Sequence, residues 1–335
     1  MSAIRDLRPT ITDIRKAAER LDGLAFRTPL LESVDLNERT GGRILLKAEC
    51  LQRTGSFKFR GAYNAVSQMD PEIRSRGVLA WSSGNHAQGL ATAARLHGIS
   101  ATIVMPKDAP EIKVANAKRL GATIVPYDRY NEIREEIGGR IADEHGLTII
   151  PPYDDEHIVA GQGTVGLEID AQCQEMGTEP DALLLNCSGG GLTAGCAVAM
   201  TANNPATEIY CVEPEFYDDH AQSLANGTRT EISTDKRSIC DSLLTPIPGE
   251  VTFPINKELL SGGLTVTDDE IRDAIVYAFE RLKLVVEPGG AASLAAILTG
   301  RIDCKGRTVC AVLSGGNITK EMFAEIMSRG GSSSR

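Results

Sequence analysis

Short runs of aliphatic and β-branched residues alternate with longer stretches of helical periodicity in the first half of the chain. The runs at 78–81, 102–105, 123–125 and 147–150 predict buried strands. The stretches between them predict helices at 85–97, up to 120, and at 130–144. One strand about every twenty residues indicates a βαβαβαβ unit, with a parallel sheet and right-handed crossovers.

A second series of the same kind occupies the rest of the chain. It predicts strands at 182–185, 208–212 and 309–313, and helices at 163–175, 192–202, 268–282, 291–298 and 319–329. We therefore expect an α/β fold with two parallel-sheet units flanked by helices, the second being larger and joined by the N-terminal segment. In such sheets the ligand site lies beyond the carboxyl ends of the strands.

Composition narrows the class of protein. The 335 residues are 42% apolar and include 33 glycines, which favours an α/β enzyme with many tight turns. The net charge of −10, without a basic stripe, argues against a nucleic-acid partner. Eight cysteines without a CxxC pair indicate a reducing, cytoplasmic location, and we find no signal peptide or membrane span. We expect a disordered tail at 331–335 and, because the chain stops soon after 329, no regulatory domain and no isoleucine feedback.

Lys58 is the most informative residue, because it lies between Phe57 and Phe59 just after a Gly-Ser turn. Burial among apolar rings lowers the pKa of a lysine, and the neutral amine is a nucleophile that forms Schiff bases. The ordinary alternative is a lysine that packs beside phenylalanine on an amphipathic helix. Position alone does not decide between these two.

A glycine loop joins a predicted strand to a predicted helix at Ser188, Gly189, Gly190, Gly191 and Leu192. Consecutive glycines let backbone amides approach an anion, and the helix N-terminus adds a partial positive charge. A dinucleotide site is a competing interpretation, with Glu213 as the ribose contact, and a plain tight turn is another. The mid-chain position counts against a dinucleotide, and the absence of a lysine after the glycines excludes a P-loop.

Two further polar segments follow predicted strands. Residues 82–86 read Ser-Ser-Gly-Asn-His at a helix start, which suits a carboxylate or phosphate, although an ordinary N-cap would also explain part of it. Residues 314–317 read Ser-Gly-Gly-Asn, where a serine can donate to a ring nitrogen or simply begin a turn. With Lys58 and the glycine loop, these segments suit a phosphorylated aldehyde with a ring nitrogen, namely pyridoxal phosphate.

These segments, together with Glu287-Pro288, resemble in order the fold-type II pyridoxal phosphate enzymes. The most similar group contains threonine/serine dehydratases, serine racemases and threo-3-hydroxyaspartate dehydratases. One departure is Ser188, where the family has a fourth glycine. The resemblance implies a tryptophan-synthase-β-like fold and a homodimer. It also implies a large cofactor-binding domain from 1–75 and 150–330, and a small mobile substrate-binding domain from 76–149.

The resemblance also implies roles for individual residues. Lys58 would carry the cofactor as a Schiff base and remove the α-proton, Phe57 would pack against the ring, and Asn85 would bind the ring hydroxyl. Ser314 would contact the pyridine nitrogen without keeping it protonated, which favours β-elimination. The phosphate would be held by the backbone amides of Ser188, Gly189, Gly190, Gly191 and Leu192. The substrate carboxylate would be held by Ser82, Asn85 and His86.

Three further expectations concern specificity and ions. Ser83 would reprotonate the opposite face and give racemisation, or it is only a turn residue. Arg134 would bind a distal substrate carboxylate, or it is a surface arginine paired with Glu135. Mg²⁺ or Ca²⁺ would be bound by Glu213, Asp219 and the carbonyl of Tyr217, unless this is an acidic loop without an ion.

The implied activity is a pyridoxal-phosphate-dependent ammonia-lyase acting on a small amino acid. L-Threonine or L-serine would be converted to a 2-oxo acid and ammonia by α,β-elimination. The alternative is a threo-3-hydroxyaspartate dehydratase, a serine racemase, or both. A nicotinamide oxidoreductase gives no role to Lys58 or Ser314.

Overall fold

The computed structural model describes residues 8–329 and contains two sheets. The six-stranded sheet has the order β1-β2-β10-β7-β8-β9 and the four-stranded sheet has the order β5-β4-β3-β6. The larger sheet consists of β1 (Leu30–Glu32), β2 (Arg43–Lys47), β7 (Ala182–Asn186), β8 (Glu208–Pro214), β9 (Gly262–Val266) and β10 (Thr308–Val312). The smaller sheet consists of β3 (Val78–Trp81), β4 (Ala101–Pro106), β5 (Ala122–Tyr127) and β6 (Thr148–Ile149).

Helices cover both sheets. Those before or within the smaller-sheet segment are α1 (Ile11–Leu21), α2 (Val34–Thr40), α3 (Lys58–Gln68), α4 (Pro71–Ser75), α5 (Asn85–Leu96), α6 (Glu111–Arg119) and α7 (Arg134–His145). Those that follow are α8 (Glu156–Glu175), α9 (Gly191–Asn203), α10 (Asp219–Asn226), α11 (Thr252–Leu259), α12 (Asp268–Tyr277), α13 (Pro288–Leu298) and α14 (Lys320–Arg329). A short 3-10 helix covers Glu49–Leu51 and a π-helical turn covers Ala278–Leu282.

Both sheets confirm the predicted parallel architecture. All pairs of the smaller sheet are parallel, and its strands match the four predicted runs closely. In the larger sheet only the edge strand β1 is antiparallel. The interior strand β7 is fully buried, as expected for a parallel strand covered on both faces. The small residues of α13 let this helix pack closely over the larger sheet.

Two predicted helices differ most from the observed bounds. The helix predicted from 163 begins seven residues earlier, because the Asp155 carboxylate caps it by accepting hydrogen bonds from the amides of His157 and Ile158, both at 2.9 Å. The helix predicted for 268–282 is α-helical only to Tyr277, after which its last turn is π-helical. Several N-terminal elements, such as α1 with its Thr10–Asp13 capping box, were not predicted individually.

The strands of the smaller sheet all lie between residues 78 and 149, and the other six strands lie outside that range. The assignment of two domains at 1–75 with 150–330 and at 76–149 stays a prediction. The predicted disordered tail at 331–335 lies outside the described residues. Within residues 8–329, no helix combines the length and hydropathy needed to cross a bilayer.

Candidate active site

A cavity of about 670 Å³ opens at the carboxyl ends of strands from both sheets. Its lining brings together segments that are far apart in sequence, including those after β3, β7 and β10. The predicted residues that line it are Phe57, Lys58, Ser82, Ser83, Asn85, His86, Arg134, Ser188, Gly189, Gly190, Gly191, Leu192 and Ser314. The loops at 151–153 and 241–243 also line it, as expected for a substrate pocket.

Lys58 is the first residue of α3, and its side chain reaches into this cavity. Its Nζ donates to the Pro152 carbonyl at 2.8 Å and lies 5.1 Å from the centre of the Phe57 ring. Burial lowers the pKa of Lys58 to about 8, although Cys187 and Glu287 oppose this shift. A substantial fraction of the amine is therefore neutral near pH 8, which a nucleophile requires.

Asn85 is held between two other polar side chains at the cavity wall. Its Nδ2 donates to Glu287 Oε1 at 2.5 Å, and its Oδ1 accepts from Asn317 Nδ2 at 2.7 Å. Burial raises the pKa of Glu287 to about 7. These contacts fix the orientation of the Asn85 amide, a role for Glu287 and Asn317 that their sequence positions did not reveal.

Ser314 is oriented by Asn186, a residue without a predicted role. Asn186 Nδ2 donates to Ser314 Oγ at 2.9 Å, while Asn186 Oδ1 accepts from the amide and hydroxyl of Ser293, both at 2.6 Å. Because Ser314 Oγ already accepts this hydrogen bond, its own hydrogen is available to a group in the cavity. The only sequence signal for Asn186 was its place at the end of β7.

The glycine loop presents unpaired donors. Within the part of the chain that the structure describes, the amides of 188–192 donate no hydrogen bond to another residue. Gly190 has φ = 92°, and α9 begins immediately after it. A Cβ at Gly189 would lie 2.3 Å from the Tyr153 ring, so this ring packs directly on the loop. Free amides at a helix N-terminus fit the phosphate of an anionic cofactor.

The start of α5 carries the residues that were expected to bind the substrate carboxylate, and all of them line the cavity. The His86 side chain donates from Nε2 to the Ile150 carbonyl at 2.8 Å, and burial lowers its pKa to about 4. The imidazole is therefore neutral, and its Nδ1 has no hydrogen-bond partner within residues 8–329. Ser82 Oγ accepts from the Gly84 amide at 3.3 Å, and Ser83 is half-buried in the cavity lining. The amides at the start of α5 are thus the available carboxylate donors.

Arg134 lies at the edge of the cavity, at the first turn of α7. Its Nε donates to Glu135 Oε1 at 2.7 Å, and about half of its side chain is exposed. It is therefore a paired surface arginine that also faces the cavity. Lys113 is a second cation in the lining and pairs with Asp241, a contact that the sequence did not suggest.

The predicted cation ligands lie behind the glycine loop, outside the cavity lining. Glu213 and Asp219 are fully buried, and burial raises the pKa of both carboxyls. The Glu213 carboxylate accepts from the amides of His220 and Ala221, which leaves it unsuited to a ribose and counts against a dinucleotide site. Tyr217 lies in the turn between them, and its hydroxyl donates to the Lys236 carbonyl at 2.9 Å.

The cavity residues match the parts of pyridoxal phosphate. An amine faces the same space as five unpaired amides, a serine hydroxyl and an oriented asparagine. These groups suit, respectively, an aldehyde, a phosphate, a ring nitrogen and a ring hydroxyl.

Comparisons with known proteins agree with this match. The L-threo-3-hydroxyaspartate ammonia-lyase of Pseudomonas sp is 45% identical over 94% of this chain and 97% of its own. The serine racemase of Schizosaccharomyces pombe is 42% identical over 96% and 98%. A crystal structure of a T.th. threonine deaminase, 43% identical, superposes with a TM-score of 0.87 over 93% of this chain and 99% of that one.

The profile of the family described as "Pyridoxal-phosphate dependent enzyme" matches residues 21–315. The fold is that of the fold-type II enzymes, as the sequence predicted. The relatives include ammonia-lyases and racemases of small amino acids. The chain belongs to the pyridoxal-phosphate dependent enzyme family.

Proposed function

We propose that this chain is an ammonia-lyase that converts a 3-hydroxy amino acid to a 2-oxo acid and ammonia. L-threo-3-Hydroxyaspartate is the first candidate substrate, and L-threonine and L-serine are the second. The observation that carries the proposal is the cavity that combines the Lys58 amine, the unpaired amides of the glycine loop and Arg134 at its edge. The 45% identity to a hydroxyaspartate ammonia-lyase supports the choice of substrate.

Each group has a distinct task in this proposal. Bound pyridoxal phosphate supplies an aldehyde that captures the substrate amine and a ring that withdraws electrons from the substrate α-carbon. Lys58, as a neutral amine, accepts the α-proton. The amides of 188–192 hold the phosphate, and Ser314 donates to the ring nitrogen without a formal charge. Phe57 lies beside the ring, and Asn85 binds the ring hydroxyl.

The substrate would be held at both of its ends. The amides at the start of α5, with Ser82 Oγ, bind the α-carboxylate, since helix N-termini attract anions. A β-carboxylate, present only in hydroxyaspartate, would reach Arg134, with Lys113 as a second nearby cation. Threonine and serine lack this group and gain nothing from either cation.

A substrate panel tests the proposal. The holoenzyme is incubated with L-threonine, L-serine and the hydroxyaspartate diastereomers, and 2-oxo acid and ammonia are measured. We expect equal amounts of both products, with the highest kcat/KM for L-threo-3-hydroxyaspartate. If none of these substrates releases ammonia, the proposed reaction is wrong.

Arg134→Gln should separate hydroxyaspartate from threonine. Loss of a charge-assisted contact costs about 1.5–3 kcal/mol, or on the order of 10- to 100-fold in kcat/KM for hydroxyaspartate. The kcat/KM for threonine should change less than about twofold, because that substrate lacks the second carboxylate. The control is Arg129→Gln, which removes an exposed arginine outside the cavity that pairs with Asp108 at 2.8 Å. An equal loss for both substrates in Arg134→Gln would contradict this role.

A racemase activity is the second candidate function, because Ser83 lines the same cavity as Lys58. A hydroxyl can return a proton to the substrate carbon from the side away from Lys58. Ser83→Ala should therefore lower D-serine formation from L-serine by about 100-fold or more, while pyruvate formation stays within a few fold. Chiral chromatography measures both isomers. Absence of D-serine with the unaltered enzyme would remove this candidate.

We also infer that Glu213 and Asp219 bind a divalent cation, with Mg²⁺ or Ca²⁺ as the first candidates because carboxylates and carbonyls are hard ligands. Among residues 8–329, neither oxygen of the buried Asp219 carboxylate has a hydrogen-bond partner, which is costly for a carboxylate unless an ion neutralises it. The carbonyl of Tyr217 is the proposed third ligand.

Removal of the cation gives the corresponding prediction. Dialysis against a chelator should lower the melting temperature and the activity, and Mg²⁺ should restore both. Asp219→Asn should no longer respond to either treatment. The control Asp218→Asn removes a neighbouring carboxylate that is only half-buried and should respond normally. Indifference of the unaltered enzyme to the chelator would count against the site.

We also propose that the protein assembles as a homodimer and lies in the cytoplasm. The relatives and the fold class make a homodimer our expectation, which sedimentation of the holoenzyme tests. All eight cysteines are free and buried, which supports a reducing compartment such as the cytoplasm.

A further inference from the structure

Four atoms behind the glycine loop lack the hydrogen bonds that their burial requires. They are both carboxylate oxygens of Asp219, Nδ1 of His220 and Oδ1 of Asn256. They account for four of the ten buried side-chain polar atoms without a partner in residues 8–329. Buried polar atoms are rarely left unpaired, so their concentration at one point indicates an occupant.

The potential metal ligands around this point include sulfur, nitrogen and oxygen atoms. Cys187 Sγ, His220 Nδ1 and a Glu213 carboxylate oxygen all lie within 4.8 Å of one another. The Asp219 carboxylate lies 3.5 Å from His220 Nδ1. Mg²⁺ and Ca²⁺ prefer oxygen ligands alone, whereas a set of one sulfur, one nitrogen and carboxylate oxygens is typical of Zn²⁺.

The histidine can act as a ligand only if its Nδ1 carries a lone pair. Asn256 Nδ2 lies 3.0 Å from His220 Nε2, an arrangement in which Nε2 accepts and Nδ1 bears the hydrogen. A half-turn of the Asn256 amide exchanges its nitrogen and oxygen. Nε2–H then donates to Oδ1, and Nδ1 presents its lone pair to the cluster. This rotation gives Asn256 Oδ1 a donor and orients the histidine ligand, as second-shell groups of metal sites do. It also exchanges the bond from Asn256 Nδ2 to Thr193 Oγ1 for one that the Thr193 hydroxyl donates to Oδ1, and it gives up the contact of Nδ2 with the Gly190 carbonyl.

We propose that Cys187, His220 and Glu213 form a site for Zn²⁺ or a similar borderline cation, with Asp219 beside His220, and that this ion displaces Mg²⁺ or Ca²⁺. This inference rests on the cation site of the proposed function and changes its ligands and its preferred ion. These three protein ligands leave the fourth position of a tetrahedral zinc site to a water molecule or, after a small movement, to the Asp219 carboxylate. On binding, the Cys187 thiol releases its proton to solvent and ligates as the thiolate.

The site is joined to the phosphate-binding loop. Cys187 directly precedes Ser188, and a Cβ at Gly190 would lie 2.6 Å from His220 Nε2 and from Asn256 Nδ2. The Asn256 amide also lies 3.0 Å from Thr193 Oγ1, in the first turn of α9. A change in the bound cation is therefore expected to affect the loop that would hold the cofactor.

Metal analysis of the holoenzyme tests the inference without using activity. Holoenzyme stripped with a chelator is dialysed against one equivalent of Zn²⁺ in a large excess of Mg²⁺, and its metal content is measured. We expect one Zn²⁺ per chain. X-ray absorption at the zinc edge should show a sulfur neighbour at about 2.3 Å with nitrogen or oxygen neighbours at about 2.0 Å. A zinc spectrum without a sulfur neighbour would overturn the proposal, and this result needs no variant to fold.

Two cysteine variants test whether the sulfur ligand of the zinc ion belongs to Cys187. Cys187→Ser should remove the sulfur neighbour and weaken Zn²⁺ binding tenfold or more relative to Mg²⁺. Cys196→Ser is the matched control, since Cys196 is a buried thiol on α9 outside the cluster and should leave both readouts unchanged. An unchanged preference for Zn²⁺ in Cys187→Ser would mean adventitious binding elsewhere and overturn the proposal.

Mg²⁺ binding and cofactor content are measured on the same samples. If Mg²⁺ binds in a way that depends on Asp219 but Zn²⁺ does not compete, the zinc inference fails and the cation site of the proposed function stands. If neither ion binds, both fail. The pyridoxal phosphate content of the samples is a separate test of the lyase proposal.

Discussion

Lys58→Ala is expected to lower the rate of 2-oxo acid formation by on the order of 1000-fold or more. The variant loses both the amine that would attach the cofactor and the base that would take the α-proton. No other described lysine replaces it, because the only other lysine in the cavity lining, Lys113, is paired with Asp241. Continuous detection of the 2-oxo acid measures the loss.

The control for this variant is Lys107→Ala, which removes an exposed lysine that lies 3.8 Å from Glu132 and outside the cavity. It should retain full activity. Circular dichroism should show that both variants are folded. A small primary amine added to Lys58→Ala should restore part of the proton transfer, as expected when a base is missing. Retention of more than about 1% of the turnover without added amine would show that Lys58 is not the base.

Gly190→Ala is expected to weaken cofactor binding about tenfold or more, because it alters the loop assigned to the phosphate. Its φ of 92° strains any side chain, at a cost of roughly 1–3 kcal/mol. The new Cβ would also lie 2.6 Å from the His220 and Asn256 side chains, so the loop must move. Fluorescence titration of the apoenzyme with pyridoxal phosphate measures the dissociation constant.

Gly177→Ala separates backbone strain from damage to the site. Gly177 also has a positive φ, of 66°, but no atom lies within 4 Å of its hypothetical Cβ. This variant should lose about 1 kcal/mol of stability and bind the cofactor normally. If Gly190→Ala binds the cofactor as tightly as Gly177→Ala does, the loop does not hold the phosphate.

The strands of the smaller sheet could be predicted almost to the residue, and the physical reason is burial. A parallel strand covered on both faces must be apolar throughout, so β3 and β4 appear as uninterrupted runs bounded by turns. The start of α8 could not be predicted in this way, because its capping residue Asp155 follows a turn-rich loop without a periodic signal. The N-terminal elements were recognised only as a joining segment for the same reason.

The residues of the candidate site could likewise be predicted only in part. Residues at strand ends and helix starts, such as the glycine loop, Ser314 and Lys58, were predicted because local sequence determines their placement. Asn186 and Glu287 were not given roles, since their partners Ser314 and Asn85 are 128 and 202 positions away. The engagement of His86 with the Ile150 carbonyl likewise joins residues 64 positions apart. A single sequence carries no record of such contacts.

Chemical trapping tests the claim that Lys58 holds pyridoxal phosphate. The yellow holoenzyme is reduced with borohydride, digested and analysed by mass spectrometry. We predict that the yellow absorbance bleaches and that a pyridoxyl phosphate group is found on the peptide containing Lys58. Finding no such group, or finding it on Lys113 instead, would contradict the claim.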